Sequence, residues 1–424
     1  MSDACTGPPA PVVARSRHVY EADIVRVLTF GCVIAVHTIH YTNPGTSVGS
    51  NGVEMLLHFT REAFFCLTGF VLVLGSLHRP LALKSFWRKR LPAVALPYLT
   101  WSIVYELIAT HWSVSGTLRR LPADLALGTA WYHLYFLLVS MQIYLVFPLI
   151  HWLVRRTAGH HRALLAVSGA IQLVVLALLT YAAPSSGWAT HIVAHADVLL
   201  PSYQFYVLLG AVAACHSDRM LELARARRPT IVVLGLLSAG AAEVWYLVAV
   251  HLGTRPVDAA AVLQPVMVVW SVGAVALLVV IGSIWSDRRV PGGRADTALA
   301  AASDRSFGIF LVHPLVLWLL LQARSQWLPQ LWGPALTVPA YIVVVAGSLA
   351  FTEVFRRSPV SLALTGRRRP ARAPHATRHP AAPEQHRRAD HVRDNADTPP
   401  APVQAPHDGR DNGDRSRTAD PLLR

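Results

Sequence analysis

The sequence predicts an all-α, polytopic integral membrane protein with about ten transmembrane helices and a disordered C-terminal tail. Three observations carry this prediction: a low content of charge, a series of long apolar runs, and loops that alternate between basic and nearly uncharged. Of the 424 residues, 53% are hydrophobic and only 15% are charged, and the mean hydropathy is +0.39. Because soluble domains carry about 25% charged residues, this deficit indicates a chain that lies mostly in lipid.

The apolar runs are long enough to cross a bilayer as helices, since about twenty apolar residues span roughly 30 Å of hydrocarbon. They lack the alternation of apolar and polar residues that a transmembrane barrel requires, which excludes strands. The sixth run is the weakest, because the polar residues of 201–204 interrupt it. The predicted spans are 24–42, 55–77, 91–110, 131–153, 163–183, 197–215, 230–252, 261–285, 305–322 and 334–355.

The basic residues predict the orientation, because cytoplasmic loops carry an excess of Lys and Arg. The basic connections lie at 15–17, 79–90, 155–162, 219–228, 288–294 and 356–369. The other side of the bilayer holds only Arg119, Arg120, Arg255 and Arg324. We therefore expect a multi-pass protein of the cell membrane whose two termini are both cytoplasmic.

The chain changes character at about Gly366, where Pro, Ala, Arg, Asp and His become dominant. Such a segment cannot bury enough apolar surface to offset the entropy of ordering. We expect a cytoplasmic N-terminal segment at 1–20, a membrane domain at 21–365, and a disordered, basic, Pro-rich cytoplasmic tail at 366–424. The net charge of +14 is spread in short clusters between apolar runs, so it does not indicate a nucleic-acid partner. No P-loop, dinucleotide fingerprint or zinc motif occurs, and no metal is predicted.

The first span carries the densest set of ionisable residues, which are costly in a membrane and mark functional sites. Asp23 and Arg26 lie three residues apart on one helix face and can pair. His37 follows Arg26 by three helical turns, so it shares that face and lies roughly 16 Å deeper. An imidazole can act as a general base near neutral pH. The alternative is that His37 only hydrogen-bonds a neighbouring helix; its alignment with Asp23 and Arg26 favours a catalytic role.

Further polar residues in the spans are weaker candidates. Arg61 and Glu62 begin the second span near the predicted outer face, where they either contact a substrate or pair with each other. His133 opens the fourth span among aromatic residues, a position typical of an interface belt, although a role in substrate binding stays open. His313 precedes Pro314 and can satisfy a backbone carbonyl that the proline leaves free, which favours a structural role.

Five stretches, in the correct order, give the sequence a resemblance to a known family. The first is Asp23-Ile-Val-Arg26 followed by His37, and the others are FTREAFFCLTGFVLVLG (59–75), FWRKRLPAVALPYLTW (86–101), WYHLYFLLVSMQIYLVFPLI (131–150) and SFGIFLVHPLVL (306–317). Together they resemble acyltransferase family 3 over about residues 20–365. One departure lies in the basic loop, where the family commonly has two arginines three residues apart. Here Ala93 stands three residues after Arg90, so Arg88 or Lys89 would supply the second charge.

The resemblance implies a multispan O-acyltransferase. Such an enzyme moves an acyl group, most often acetyl, from cytoplasmic acyl-CoA to a hydroxyl of an envelope glycan or another carbohydrate or small-metabolite acceptor. Arg88, Lys89 and Arg90 would bind the donor phosphates, or would only set the topology as other basic loops do. Arg26 would hold a phosphate or the thioester end of the donor. His37 would act as the general base or would carry the acyl group itself.

The alternative from another class is an exporter of a polysaccharide or a lipid-linked sugar. A transporter would be expected to show two pseudo-symmetric halves with interrupted helices in matching positions. The intramembrane charge is instead concentrated in the first three spans, which favours an enzyme with one site.

Overall fold

The computed structural model describes residues 20–77, 82–182, 186–327, 330 and 332–369. Over these ranges the chain is helical and contains no strand, as the sequence predicts. The predicted N-terminal segment lies, apart from Tyr20, outside the described residues, and so does the tail beyond Arg369. The domain boundaries at 20 and 365 therefore stay predictions.

The described chain forms sixteen α-helices, with two short 3-10 turns, Ala196–Val198 and Leu200–Tyr203, before the ninth. The helices are α1 Tyr20–Thr42, α2 Val48–Leu57, α3 Thr60–Leu74, α4 Leu83–Ala109, α5 Val114–Leu127, α6 Tyr135–Arg156, α7 His161–Tyr181, α8 Trp188–Ala194, α9 Gln204–Cys215, α10 Ser217–Ala226, α11 Arg228–His251, α12 Pro256–Ala259, α13 Pro265–Arg288, α14 Arg294–Trp327, α15 Pro334–Arg357 and α16 Ser361–Thr365. A helix satisfies its backbone hydrogen bonds internally, which is what a segment in lipid requires.

Nine apolar segments of the described chain are long enough to cross a membrane. Eight are single helices, namely α1, α4, α6, α7, α11, α13, α14 and α15, and the ninth is the pair α2 and α3, Val48–Leu74. They account for nine of the ten predicted spans. The remaining one, predicted at 197–215, corresponds to a shorter apolar helical segment, Leu200–Cys215.

The segment Leu200–Cys215 connects the two ends of the helix bundle. Helix α7, the last long helix before the segment, ends where the Thr180 hydroxyl donates to the Leu263 carbonyl at 3.0 Å, just before α13 begins. The helix α10 that follows the segment holds Arg225, which binds Asp287 at 2.9 Å where α13 ends. Twelve α-helical and four 3-10 residues rise about 26 Å, nearly the thickness of the hydrocarbon core. The segment therefore runs between the two ends of the bundle, and it begins with a 3-10 turn at the polar residues.

The short helix α9 packs closely against α3, and this contact builds one wall of the site. A Cβ on Gly210 would overlap the Cys66 carbonyl oxygen, and one on Gly69 would overlap the Val207 carbonyl oxygen. The two backbones touch because both helices carry glycine at the crossing, as is common between membrane helices. The rings of Phe65 and Tyr203, 4.6 Å apart, extend the contact.

Both ends of the described chain lie at the same end of the bundle, which we call the basic end. The Arg289 guanidinium lies over the Tyr20 ring, with 3.3 Å from its carbon to the ring centroid. Arg367, two residues before the described chain ends, binds Asp304 at 2.9 Å, and the adjacent Ser303 binds Asp23 of α1. We call the end marked by Thr180 and Leu263 the opposite end. The nine apolar segments and the shorter segment Leu200–Cys215 together return the described chain to the end at which it started.

Candidate active site

At the basic end, Asp23 and Arg26 form the predicted pair, and a serine of α14 bridges it. The Ser303 hydroxyl donates to Asp23 Oδ1 at 2.7 Å and accepts from Arg26 Nη1 at 3.1 Å. The direct distance between Arg26 Nη1 and Asp23 Oδ1 is longer, at 3.8 Å. No sequence pattern pointed to Ser303, because a single serine in a helix carries no functional signal until its neighbours are known. The bridge fixes the charged face of α1 against α14.

Of the predicted donor-binding cluster, Arg90 is the member that the structure brings to Arg26. Arg88, Lys89 and Arg90 are all exposed near the beginning of α4. The positive charge of Arg90 acts on the Tyr144 side chain of α6 and on Arg26. The charge of Arg367 acts on Arg26 as well. Helices α4 and α6 are held together here by the Trp87 indole, which donates to the Tyr144 carbonyl at 2.8 Å.

His37 lies at a cavity of about 200 Å³ in the half of the bundle nearer the opposite end, since Val262, beside Leu263, also lines it. Aromatic side chains, including Phe30, Phe64, Phe136 and Phe310, supply most of its apolar wall. Its polar lining comes from His37, His58, Arg61, Tyr132, His133 and Tyr135. An enclosed apolar cavity with a few convergent polar groups is the usual form of a small-molecule site.

Three aromatic side chains from other parts of the chain surround the ring of His37 or its nearest neighbour. The Tyr132 ring centroid lies 4.4 Å from that of His37, and the His313 ring stacks on His37 at 5.4 Å with 25° between the planes. The His133 ring lies 5.5 Å from the His313 ring. The structure thus brings together α1, the segment before α6, and α14, which are far apart in the sequence.

His313 has the structural role that its position before Pro314 predicts. Its Nδ1 lies 2.6 Å from the Phe310 carbonyl oxygen. That carbonyl is four residues before Pro314, which has no N–H to bind it. Because a carbonyl only accepts, Nδ1 carries the proton and Nε2 is left as an acceptor. The structural interpretation is correct but incomplete, since the same ring stacks on His37.

Several buried polar atoms around this group have no hydrogen-bond partner within the described ranges. They are the Tyr132 hydroxyl, the Trp131 indole nitrogen, both ring nitrogens of His133, and His313 Nε2. Leaving a buried polar group unpaired costs about 1–3 kcal/mol, so a set of them at one place needs an explanation. A polar ligand that enters the cavity would supply the missing partners.

The placement of His133 corrects the interpretation as part of an interface belt. Only 2% of the residue is exposed, and it lines the same cavity as His37. The reason is local: the chain turns inward before α6 begins, and Ala130 and Leu134 are buried with His133. Its substrate-binding role stays a prediction, now with the geometry that such a role requires.

Arg61 and Glu62 pair with each other, and Arg61 also lines the cavity. Arg61 Nη2 lies 3.2 Å from Glu62 Oε1; the Glu62 side chain is buried, and that of Arg61 is 12% exposed. The Arg61 guanidinium lies 5.7 Å from the centroid of the Tyr203 ring. Tyr203 belongs to the polar turn that precedes α9. A largely buried cation beside the cavity favours a ligand that carries or develops negative charge.

With this geometry in place, the chain can be compared with known proteins. It matches the family model for acyltransferase family 3, described as an acyltransferase domain, over residues 19–353. The chain belongs to acyltransferase family 3. No curated protein and no solved structure gave a match. Family membership establishes a multi-pass membrane acyltransferase, an enzyme with an acyl donor and an acceptor.

In this acyltransferase the break between α2 and α3 introduces a residue that the sequence analysis missed. We expected one continuous span at 55–77, whereas the helix breaks at His58 and Phe59. Non-helical backbone at membrane depth is tolerated where it lines a cavity, and His58 does line it. An ionisable residue inside an apolar run was the signal available in the sequence.

The site residues of the acyltransferase are suited to acid–base catalysis and to anion binding. Among the residues that the structure describes, no group of three or more His, Cys, Asp or Glu side chains is arranged to hold a metal ion. The cavity is lined by three imidazoles, those of His37, His58 and His133, together with aromatic rings and Arg61. No cluster of carboxylates from the described residues lines it. Proton transfer and stabilisation of an oxyanion are reactions that these groups can perform.

Proposed function

We propose that this acyltransferase carries an acyl group from acyl-CoA, bound at the basic end, to a hydroxyl of an acceptor in the cavity at His37. Acetyl is our specific proposal for the group. The acceptor would be an envelope glycan, a related carbohydrate or a small metabolite. The observation that carries the proposal is the cavity at His37, beside which lies a set of buried polar groups with no hydrogen-bond partner among the residues that the structure describes.

The spacing of Arg26 and His37 along α1 suits a donor whose phosphates bind at Arg26 and whose thioester lies near His37. Arg26, with Arg90 and Arg367 near it, offers guanidinium groups that suit phosphate oxygens. His37 lies on the same helix face, roughly 16 Å deeper. In acyl-CoA a long flexible arm separates the phosphates from the thioester. One donor molecule could therefore place its phosphates at Arg26 and its thioester near His37.

At the cavity, His37 would act as the general base. It takes the proton of the acceptor hydroxyl as the oxygen attacks the thioester carbon. An ester C–O bond forms and the C–S bond breaks, and the proton passes to the leaving sulfur to give the CoA thiol. The Tyr132 hydroxyl and Arg61 are donors that could stabilise the oxyanion that develops on the carbonyl.

The basic end would face the cytoplasm, where acyl-CoA is found and where loops rich in Arg are retained. The protein would then lie in the cell membrane with its acceptor reaching the cavity from the opposite side. This arrangement supports modification of a molecule that has left the cytoplasm.

A deletion strain complemented with wild-type protein, His37→Ala or His160→Ala tests the proposal. His160 is an exposed histidine at the beginning of α7, and it serves as the matched control. Mass spectrometry of envelope polysaccharides and secreted metabolites should show an acetylated species with the wild type and His160→Ala. We expect His37→Ala to lower its formation by at least roughly 10²-fold, the usual contribution of a general base. Full acetylation by correctly inserted His37→Ala protein would contradict the role of His37.

A further inference from the structure

The residues that follow the family match pack against the membrane helices of the same chain. The match ends at residue 353, and α16 with the four residues after it lies beyond that point. Helix α16 packs against α4, α14 and α15. The Trp101 indole of α4 donates to the Leu364 carbonyl at 3.0 Å, and the Ser361 hydroxyl donates to the Arg367 carbonyl at 2.8 Å. These bonds hold the segment that carries Arg367 in a defined position.

Gly366 allows this segment to approach α4 closely. Its φ is +66°, in the left-handed region, and it ends α16. A Cβ at this position would lie 2.7 Å from the Ala93 carbonyl oxygen and would overlap the Phe307 ring. Only glycine meets both conditions. Ala93 lies one turn along α4 from Arg90, so the close contact places Arg367 beside the part of α4 that carries Arg90.

Arg26 and Arg367 are bound to adjacent residues of α14. Arg26 donates to Ser303, and Arg367 binds Asp304 at 2.9 Å. Asp304 is shared with Arg356, 2.5 Å away, so one carboxylate faces two guanidinium groups. The charges of Arg367 and Arg90 both act on Arg26. Three arginines, from α1, from α4 and from the segment after α16, therefore converge at one place.

We propose that Arg367, together with Arg26 and Arg90, forms the site for the polyphosphate head of the acyl donor, so that α16 completes the donor site from outside the family-matched region. Like charges repel, and three guanidinium groups are held together most favourably when an anion lies between them. Arg367 keeps 49% of its side chain exposed although it pairs with Asp304, so a phosphate can reach it. This inference rests on the proposed function, because it assumes a donor with phosphate groups.

Arg368 provides a matched control for Arg367. It is the next residue, it is also exposed, and it makes no ion pair with any residue that the structure describes. Arg367→Gln and Arg368→Gln remove the same charge from the same segment. Calorimetry on the full chain in lipid nanodiscs can measure the binding of CoA and of pantetheine, which has the arm but no phosphate.

We expect Arg367→Gln to weaken CoA binding by about tenfold, the loss typical of one charge-assisted contact. Pantetheine binding should be unchanged, and Arg368→Gln should behave as the wild type with both ligands. The inference is overturned if Arg367→Gln binds CoA as tightly as the wild type does, or if it loses both ligands equally. The thermal midpoint of each variant, measured alongside, shows whether an equal loss comes from unfolding.

The proposed function has a separate readout. If the wild-type chain fails to bind CoA at all, the donor assignment itself is wrong, and the inference falls with it. If the wild type binds CoA and acetylates its acceptor while Arg367→Gln does both equally well, the function stands and only the role of Arg367 is wrong.

Discussion

At the scale of single residues, the site depends on which nitrogen of each imidazole carries the proton. The Phe310 carbonyl determines the tautomer of His313, because it accepts from Nδ1 at 2.6 Å. Nε2 is then an acceptor that is buried and has no hydrogen-bond partner among the described residues. That nitrogen belongs to the ring that stacks on His37. His313 is therefore a positioning residue for His37 within our account, and its two nitrogens have separable effects on stability and on activity.

Substitution of His313 by Asn or by Gln separates these effects. The amide of His313→Asn can replace Nδ1 and donate to Phe310, so we expect a stable protein whose transfer rate is lower by roughly 10²-fold. His313→Gln instead places its amide near the position of Nε2 and leaves the Phe310 carbonyl unpaired. It should lose about 1 kcal/mol of stability and keep more activity than His313→Asn.

Thermal unfolding and initial transfer rates, measured on both variants, check this prediction. Equal activity of the two variants would show that Nε2 contributes nothing to the reaction. Equal stability would show that the bond to Phe310 contributes nothing to the fold.

At the scale of helices, the contact between α3 and α9 sets the position of the cavity wall. Arg61 is the second residue of α3, and Tyr203 is the last residue of the 3-10 turn that leads into α9. The backbones touch at Gly69 and Gly210, so any widening there would separate Arg61 from Tyr203. The sequence contained both glycines, but nothing in it indicated that they face each other.

Gly210→Ala tests this contact. The added methyl group would overlap the Cys66 carbonyl oxygen, a backbone atom that cannot rotate away. We expect a loss of stability of about 1–3 kcal/mol, the usual range for overpacking, and lower activity through displacement of Arg61. Gly240→Ala is the control, because no atom lies within 4 Å of a Cβ at that position in α11.

The two alanine variants should differ in sign in a thermal unfolding experiment. In an open helical position alanine is more favourable than glycine by up to about 1 kcal/mol, so Gly240→Ala should be neutral or stabilising. A Gly210→Ala protein as stable as the Gly240→Ala protein would show that α3 and α9 are less closely packed than described.

At the scale of the whole molecule, the alternation of basic and neutral loops was the most informative property of the sequence. Together with hydropathy it predicted an all-α polytopic chain, and nine of its ten predicted spans match apolar segments long enough to cross a membrane, because charge and hydropathy act residue by residue and need no tertiary contact. The polar residues at 201–204, which weaken the sixth predicted span at 197–215, lie where the structure has the 3-10 turn Leu200–Tyr203 and the beginning of α9. Here the neighbouring helices, rather than apolar length alone, keep the segment in the bundle.

The site was predictable only in part, and the reason is distance along the chain. Asp23, Arg26 and His37 share one helix, so helical spacing alone aligned them. His133, His313 and Arg367 reach them from other elements, and a pattern within one segment cannot report such contacts. Because its neighbours in the sequence are aromatic, sequence reasoning favoured the membrane interface for His133 and left substrate binding open. Tertiary packing instead buries His133 at the cavity.

Labelling of introduced cysteines tests the orientation of the whole molecule. Ala158→Cys lies in an exposed connection at the basic end and Thr254→Cys in one at the opposite end. In a chain that otherwise lacks cysteine, an impermeant maleimide added to intact cells should label only Thr254→Cys. Labelling of Ala158→Cys alone would reverse the orientation, and labelling of both would contradict the separation of the two ends.

We propose that the cavity at His37 transfers an acyl group from a donor held at the basic end. The most direct measurement uses sealed inside-out membrane vesicles that receive acetyl-CoA labelled in the acetyl group. Our account predicts labelled acceptor inside vesicles that contain the wild-type chain or His160→Ala, and none with His37→Ala inserted to the same level. Unlabelled acceptor that crosses the membrane without acquiring acetyl, or equal labelling with His37→Ala, would contradict it.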